Sequence, residues 1–173
     1  PRPEKVNLGV GLYLDETGKP KVLDVVREEQ EALIEAGLPN TYLPIRGLPA
    51  YRELTQKMVF GEQSEVVQSG RACTIQALGG TGAIKLAADF MRNVCGVTVG
   101  ASSDPTWGNH DGIMRLAGMQ VQKYRYYDAA HFCVDFSGML EDVAKLPAGA
   151  MPIFHSCCHN PTGYDLTLEQ WTQ

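Results

Sequence analysis

Several features of common protein classes are missing from this sequence. No uninterrupted apolar run approaches the roughly 20 residues that a membrane-spanning helix needs. No basic segment followed by an apolar one opens the chain, so we expect no secretory signal peptide. The formal net charge is −5 and the lysines and arginines are scattered, so a surface for nucleic acid or anionic membrane is not expected. These absences leave a globular protein whose 173 residues suffice for one domain with a hydrophobic core.

Disulfide and zinc patterns are missing as well. The five cysteines are odd in number and form no C-x-x-C pair, which is typical of a reduced, cytosolic protein. Residues 155–159 do contain two histidines and two cysteines, and in an extended strand His155, Cys157 and His159 would face one side. A structural zinc site usually draws its ligands from two separate clusters, and the sequence has no second one. We therefore expect no metal site, and we interpret His155 as a packed core histidine.

The two familiar nucleotide-binding loops are absent, although a glycine-rich turn is present. Counting from Gly80, Lys85 occupies the position of the third glycine in G-x-G-x-x-G, and no G-K-[ST] tripeptide occurs. The turn follows an apolar run, contains Gly79, Gly80, Thr81 and Gly82, and precedes a run of helix formers. The first N–H groups of such a helix are unpaired and lie at the positive end of its dipole, which suits a phosphate. A βα turn that binds nothing is equally consistent with this stretch alone.

From residue 72 onward, strand-like and helical segments alternate. Strands are predicted at residues 72–78, 97–101, 121–127 and 151–157, and helices at residues 83–95, 109–117 and 137–146. Two earlier helices are predicted, one capped by Asp24 and closed by Gly37, the other over residues 50–60 and ended by Gly61. The alternation predicts an α/β fold with a mainly parallel sheet and flanking helices. The helix at 83–95 is apolar on nearly every side, so we expect it to be buried.

Three turns lie where a parallel sheet places its ligands, beyond the carboxyl ends of the strands. They are residues 79–82, 103–110 and 155–163. The second contains Trp107, whose flat face can stack on an aromatic ligand or instead close the rim of the core. The third contains Asn160, an amide that can hydrogen-bond a ligand oxygen. Together, a phosphate cup, a flat aromatic side chain and an amide describe a site for a phosphorylated aromatic ring.

Five segments resemble the aspartate/aromatic aminotransferases, which are class I, fold-type I pyridoxal-phosphate enzymes. These segments are residues 7–11, 42–45, 79–83, 105–110 and 159–163. Their order and spacing are similar to the family's along essentially the whole chain, and the Cys-Cys-His-Asn-Pro-Thr-Gly run resembles the bacterial branches. The resemblance implies that residues 21–173 are the N-terminal part of the large cofactor-binding domain and that residues 1–20 belong to the small domain. It also implies a homodimer with shared active sites.

The resemblance implies roles for individual cofactor-binding residues. Gly79, Gly80 and Thr81 match the residues that hold the phosphate of pyridoxal phosphate in the family. Trp107 matches the residue that covers the pyridine ring. Asn160 matches the residue that donates to the ring's phenolic oxygen, lowers the pKa of the imine and contacts the substrate carboxylate.

Three further residues match family positions around the cofactor. His110 matches a histidine that orients the aspartate paired with the pyridinium nitrogen. Tyr42 matches a tyrosine that reaches the phosphate of the neighbouring subunit, and Gly11 matches a residue at the substrate entrance. The expected substrate contacts are therefore Gly11, Trp107 and Asn160. The family also has cis peptide bonds before the prolines at the positions of Pro105 and Pro161.

The residues that carry the chemistry in the family have no counterparts in this chain. The Schiff-base lysine, the pyridinium-binding aspartate and both substrate-binding arginines lie beyond Gln173, so no residue of this chain is expected to be catalytic. A capping-box pattern at residues 167–170 predicts a helix near the end of the sequence, which we interpret as a sign of a longer protein. That protein is expected to move an amino group between aspartate, tyrosine or phenylalanine and a 2-oxo acid such as 2-oxoglutarate. The alternative is a non-catalytic fragment or a phosphate-binding or interaction module.

Overall fold

The computed structural model describes residues 2, 4, 5, 9 and 11–173, and the chain divides into two compact units, Pro1–Leu43 and Pro44–Gln173. Most of the segment 7–11 lies outside the described residues. In the first unit, the Asp15 carboxylate accepts two backbone N–H groups of its own turn. Helix α1 (Asp24–Glu35) follows this turn.

The two ends of α1 differ in how well the sequence predicts them. Leu23, not Asp24, occupies the N-cap position, so the predicted cap is wrong. The Asp24 carboxylate lies within the first helical turn, where it faces the positive end of the dipole and reaches the Arg27 guanidinium at 3.4 Å. At the other end the prediction is confirmed, because Gly37 has a φ of +55° and donates its N–H to Ile34 O at 3.1 Å.

The second unit contains the remaining helices and the sheet. Its helices are α2 (Pro49–Phe60), α3 (Glu65–Gln68), α4 (Gly79–Asn93), α5 (Asn109–Leu116), α6 (Phe136–Ala144) and α7 (Leu168–Trp171). Its strands are β1 (Val99–Asp104), β2 (Gln120–Arg125), β3 (Tyr127–Asp128), β4 (Cys133–Val134) and β5 (Met151–Pro152). As predicted, Gly61 ends α2 with a φ of +84°, and the capping box formed by Thr167 and Gln170 begins α7.

The main sheet is parallel, with strand order β2–β1–β5. The central strand β1 pairs with β2 along its whole length, from Val99 opposite Gln120 to Asp104 opposite Arg125. The short strand β5 lies on its other side. A separate antiparallel pair, β3 and β4, follows β2. The helices between the parallel strands confirm the predicted α/β fold with a mainly parallel sheet.

Two strand predictions differ from the structure. Residues 72–78 form no strand, because their backbone makes only one described hydrogen bond to a distant residue, from Gln76 N–H to Arg46 O at 3.0 Å. A strand needs a ladder partner, and the described residues supply none for this segment. The predicted strand at 151–157 is reduced to β5, after which Ile153 N–H still donates to Ala101 O at 2.8 Å before the chain turns away.

The hydrophobic core lies on both faces of the sheet. One cluster joins the sheet to α4 and α5, and the other joins it to α6. The first contains Ala88, Val97, Ile113, Met114, Ala117 and Met119, and the second contains Ala101, Tyr124, Tyr126 and Met139. Helix α5 approaches β1 so closely that a Cβ on Gly100 would overlap the Met114 sulfur. The glycine at position 100 thus permits the packing of α5 on the sheet.

Helix α4 is less buried than its apolar sequence predicts. Only Ala88 is fully buried, and Ile84 and Met91 pack beside it on the face that meets the core. Phe90 and Val94 remain 54% and 70% exposed, because no described element covers the opposite face of the helix. None of the described helices combines the length and apolar character needed to cross a membrane.

Candidate functional site

The glycine turn forms the N-terminus of α4. Leu78 occupies the N-cap position and caps no N–H group with its side chain. Within the described part of the chain, the N–H groups of Gly80 and Thr81 have no hydrogen-bond acceptor, whereas Gly82 N–H donates to Leu78 O at 3.2 Å. A Cβ added to Gly79 or Gly80 would meet no atom within 4 Å. The turn therefore presents unpaired N–H groups to open space at the positive end of a 15-residue helix.

Four aromatic side chains form a continuous row from the turn after β1 to the turn after β5. We refer to Trp107, His110, His155 and His159 as the ring row. The Trp107 and His110 ring centroids lie 5.3 Å apart with the planes nearly perpendicular. His110 lies 5.1 Å from His155, which lies 4.4 Å from His159. The Thr106 hydroxyl lies 2.9 Å from His110 Nδ1 and holds this second ring of the row.

The three imidazoles of the ring row are neutral at pH 7. Burial lowers the pKa of His110 and His155, and it lowers the pKa of His159 to about 4. The neighbouring His155 adds to the lowering at both of the other rings, because like charges placed so close together would repel. The row can therefore donate and accept hydrogen bonds without bringing positive charge into the site.

The turn that carries Asn160 is held from within. The Asp165 carboxylate accepts the N–H groups of Cys158 and His159 at 2.7 and 2.8 Å. Gly163 N–H donates to His159 O at 2.7 Å and closes the turn. The Asn160 side chain is exposed and has no hydrogen-bond partner among the described residues. Its amide is thus available to a ligand.

Both peptide bonds that the resemblance implies to be cis are cis in the structure. They are Asp104–Pro105, at the end of β1, and Asn160–Pro161, in the turn after β5.

A family comparison identifies the chain. The family model described as aminotransferase class I and II matches residues 3–173. The chain belongs to this aminotransferase family.

Named relatives and solved structures agree with this assignment. The aspartate aminotransferase of Pseudomonas aeruginosa is 49% identical over 172 residues, which are 99% of this chain and 43% of that protein. The cytoplasmic aspartate aminotransferase of rice, Oryza sativa subsp. japonica, is 45% identical over all of this chain and 43% of its own. An aromatic-amino-acid aminotransferase from Burkholderia pseudomallei, covalently bound to pyridoxal phosphate, is 48% identical with a TM-score of 0.93, covering 98% of this chain and 43% of its own. The chain thus spans less than half the length of these relatives.

The structure brings some of the expected site residues together. Trp107 and His110 lie in the ring row, and Asn160 directly follows its last member. No described hydrogen bond or ring contact joins the glycine turn to that row. Gly11 and Tyr42 belong to the first unit, where both are exposed. Their roles, like the cofactor roles of all these residues, stay predictions.

Sequence reasoning missed the part that His155 and His159 take in the site. His155 lies between the other two imidazoles, and its Nδ1 is buried without a hydrogen-bond partner among the described residues. The available signal was the spacing of these histidines, which predicts that both face one side of an extended segment. Here the two rings are in contact with their planes tilted by 56°, and no group of three or more His, Cys, Asp or Glu side chains among the described residues is arranged to hold a metal ion.

Proposed function

We propose that the whole protein is a pyridoxal-phosphate-dependent aminotransferase. It would move an amino group between an acidic or aromatic amino acid (aspartate, tyrosine or phenylalanine) and a 2-oxo acid such as 2-oxoglutarate. The observation that carries the proposal is the open N-terminus of α4, with two unpaired N–H groups, in a chain of the aminotransferase family. Relatives named for aspartate and for aromatic amino acids both support the substrate range.

The residues present fit pyridoxal phosphate. Gly80 and Thr81 offer unpaired backbone N–H groups and Thr81 a hydroxyl, the donors that a phosphate dianion needs, and Gly79 has no side chain to block their approach. The half-buried Trp107 ring offers an apolar face for a pyridine ring, and the free Asn160 amide offers a donor for its phenolic oxygen. When bound, this cofactor supplies the electron sink that allows the bonds at the substrate Cα to be broken.

The ring row contributes orientation rather than charge. His110 is buried and neutral, and the Thr106 hydroxyl at 2.9 Å fixes its Nδ1, so its Nε2 is left to orient a neighbouring group. We propose that this group is the acidic residue that pairs with the pyridinium nitrogen. Neutral imidazoles suit this purpose, because a cation here would compete with the pyridinium for that carboxylate.

The finer organisation is also proposed. Residues 1–20 would belong to the small domain and residues 21–173 to the large domain, with Gly11, Trp107 and Asn160 lining the substrate site. Tyr42 would cross to the phosphate of a second subunit in a homodimer; its exposed hydroxyl is consistent with this. We propose a cytoplasmic location, supported by the rice relative's name, although a relative from Dictyostelium discoideum is named as mitochondrial. Cell fractionation distinguishes these two locations.

The test uses the full-length protein with Thr81→Val and the matched control Thr81→Ser. Valine keeps the shape of threonine but deletes the hydroxyl, whereas serine retains it. Loss of one hydrogen bond to a charged group, about 1.5–3 kcal/mol, should weaken pyridoxal phosphate binding by roughly 10- to 150-fold in Thr81→Val and little in Thr81→Ser. Cofactor affinity is measured by absorbance, and amino transfer by conversion of aspartate and 2-oxoglutarate. A wild-type protein that transfers no faster than free cofactor would refute the proposal and favour the non-catalytic alternative.

A further inference from the structure

The turn after β5 is attached to the sheet at its beginning by one backbone hydrogen bond and one hydrogen bond from a side chain. Ile153 N–H donates to Ala101 O at 2.8 Å, and Ile153 O accepts the Tyr124 hydroxyl at 2.6 Å. From residue 155 to residue 163 the chain then leaves the sheet. Asp165 and Gly163 hold this turn to itself, as described above, but they do not connect it to any strand. Beyond the turn, the Tyr126 hydroxyl donates to Tyr164 O at 2.8 Å, so a direct connection between the turn itself and β1 must come from a side chain within the turn.

That side chain is His159, which is 2% exposed. Its Nε2 lies 2.9 Å from the Ser103 hydroxyl, and its Nδ1 lies 2.8 Å from the Thr162 hydroxyl. Across the described residues, the contact with Ser103 is the only hydrogen bond between residues 155–163 and a strand of the sheet. Tyr126 stacks on the ring with centroids 3.9 Å apart and planes 14° apart, so the imidazole cannot swing aside.

The two ends of this connection carry different parts of the site. Ser103 is the last buried residue of β1, and Trp107 follows it by four positions. His159 directly precedes Asn160. One imidazole therefore links the strand end that carries the flat aromatic ring to the turn that carries the amide.

We propose that His159 is a positioning residue that fixes the Asn160 amide relative to Trp107. The inference rests on the proposed function, in which these two side chains hold the cofactor ring from its face and its edge. A shift of the turn would move the amide away from the phenolic oxygen while leaving the glycine turn intact. The effect would therefore fall on the ring of the cofactor rather than on its phosphate.

The first experiment needs no cofactor. In the full-length protein, His159→Leu and Ser103→Ala should each accelerate amide hydrogen exchange of residues 158–163 by about tenfold, the effect of losing one buried hydrogen bond. His159→Gln, whose amide can still reach Ser103, should restore most of the protection. Ser102→Ala is the matched control, because Ser102 is equally buried on the same strand but bonds Asp111 and Lys123 instead. It should leave exchange of residues 158–163 unchanged.

The second experiment uses bound pyridoxal phosphate and its visible absorbance as a function of pH. A hydrogen bond from Asn160 favours the ionised phenolic oxygen, so its loss should raise the midpoint of that titration. His159→Leu should raise the midpoint in the same direction as Asn160→Ala, and the double variant should show no larger shift than Asn160→Ala alone.

Each outcome separates the inference from the proposed function. Faster exchange together with a shared midpoint shift supports the positioning role. A lower melting temperature with unchanged exchange at residues 158–163 and an unchanged midpoint would mean that His159 only fills the core, which overturns the inference. If the wild-type protein binds no cofactor, the proposed function fails, and the exchange experiment still decides whether His159 fixes the turn.

Discussion

Acidification should destabilise the protein through His159. Burial lowers the pKa of this ring from 6.5 to about 4, whereas the unfolded chain titrates near the ordinary value. The unfolded state therefore binds more protons than the folded state below pH 6.5. Stability consequently falls as the pH drops below 6.5, and the loss is complete near pH 4. The sign is opposite to that of a histidine paired with a carboxylate.

The magnitude follows from these two pKa values. At pH 5, protonation stabilises an unfolded histidine with a pKa of 6.5 by about 2 kcal/mol, and a folded one with a pKa of about 4 by less than about 0.1 kcal/mol. The difference, about 2 kcal/mol, is the stability that His159 should cost between pH 8 and pH 5. Because the ring is 2% exposed, little solvent screening reduces this value.

The assay is urea unfolding of the full-length protein at pH 8 and pH 5. Between these pH values, the free energy of unfolding of the wild type should fall by about 2 kcal/mol more than that of His159→Gln. This difference does not depend on how stable the variant is at pH 8. His131→Gln is the control, because exposed His131 lies 2.6 Å from the Asp128 carboxylate, which raises its pKa. The stabilisation that this ion pair gives to the folded state is present at low pH and is lost as the pH rises. Between pH 8 and pH 5, the free energy of unfolding of His131→Gln should therefore fall slightly more than that of the wild type. Equal losses for the wild type and His159→Gln would refute the reasoning.

Three further outcomes are expected. Met114→Ala should destabilise the protein by about 2–5 kcal/mol in chemical unfolding, because Met114 is fully buried between α5 and β1, whereas the volume-conserving Met114→Leu should cost less than about 1.5 kcal/mol. Tyr42→Phe should weaken cofactor retention by about 1.5–3 kcal/mol if the hydroxyl reaches a partner's phosphate, and equally tight retention by a strictly monomeric protein would contradict this. Residues 1–173 alone should not convert aspartate and 2-oxoglutarate faster than free cofactor; a faster rate would point to Lys85, which lies four residues beyond Thr81 and pairs with Asp89.

The sequence predicted the alternation of the sheet and helices well because that signal is local. The glycine turn, α5 and the capping box of α7 each depend on residues a few positions apart, and each lies where its pattern indicates. Residues 72–78 were predicted as a strand from their apolar, β-branched composition. Composition cannot supply the neighbouring strand that a ladder requires, so the prediction failed for a non-local reason.

The candidate site was predicted only in part, because only some of its features depend on residues that are close together in the sequence. Trp107 and Asn160 were singled out because each stands out within a short turn, and their roles stay predictions. The Ser103–His159 contact joins residues 56 positions apart, and no spacing rule connects such a pair. The burial of α4 was overestimated because an apolar sequence shows only that a helix can be buried, and not whether other elements cover it. The elements that actually cover it must be read from the structure.

The close approach of α5 to β1 limits how positions 100 and 114 can vary. A methyl group on Gly100 has room only if the Met114 sulfur moves, and Met114 is fully enclosed. The side chains at the two positions therefore share one fixed volume, and a larger side chain at either position requires a smaller one at the other. In a library randomised at both, alanine or serine at position 100 should be recovered mainly with a shorter side chain at position 114. Methionine at position 114 should be recovered with glycine.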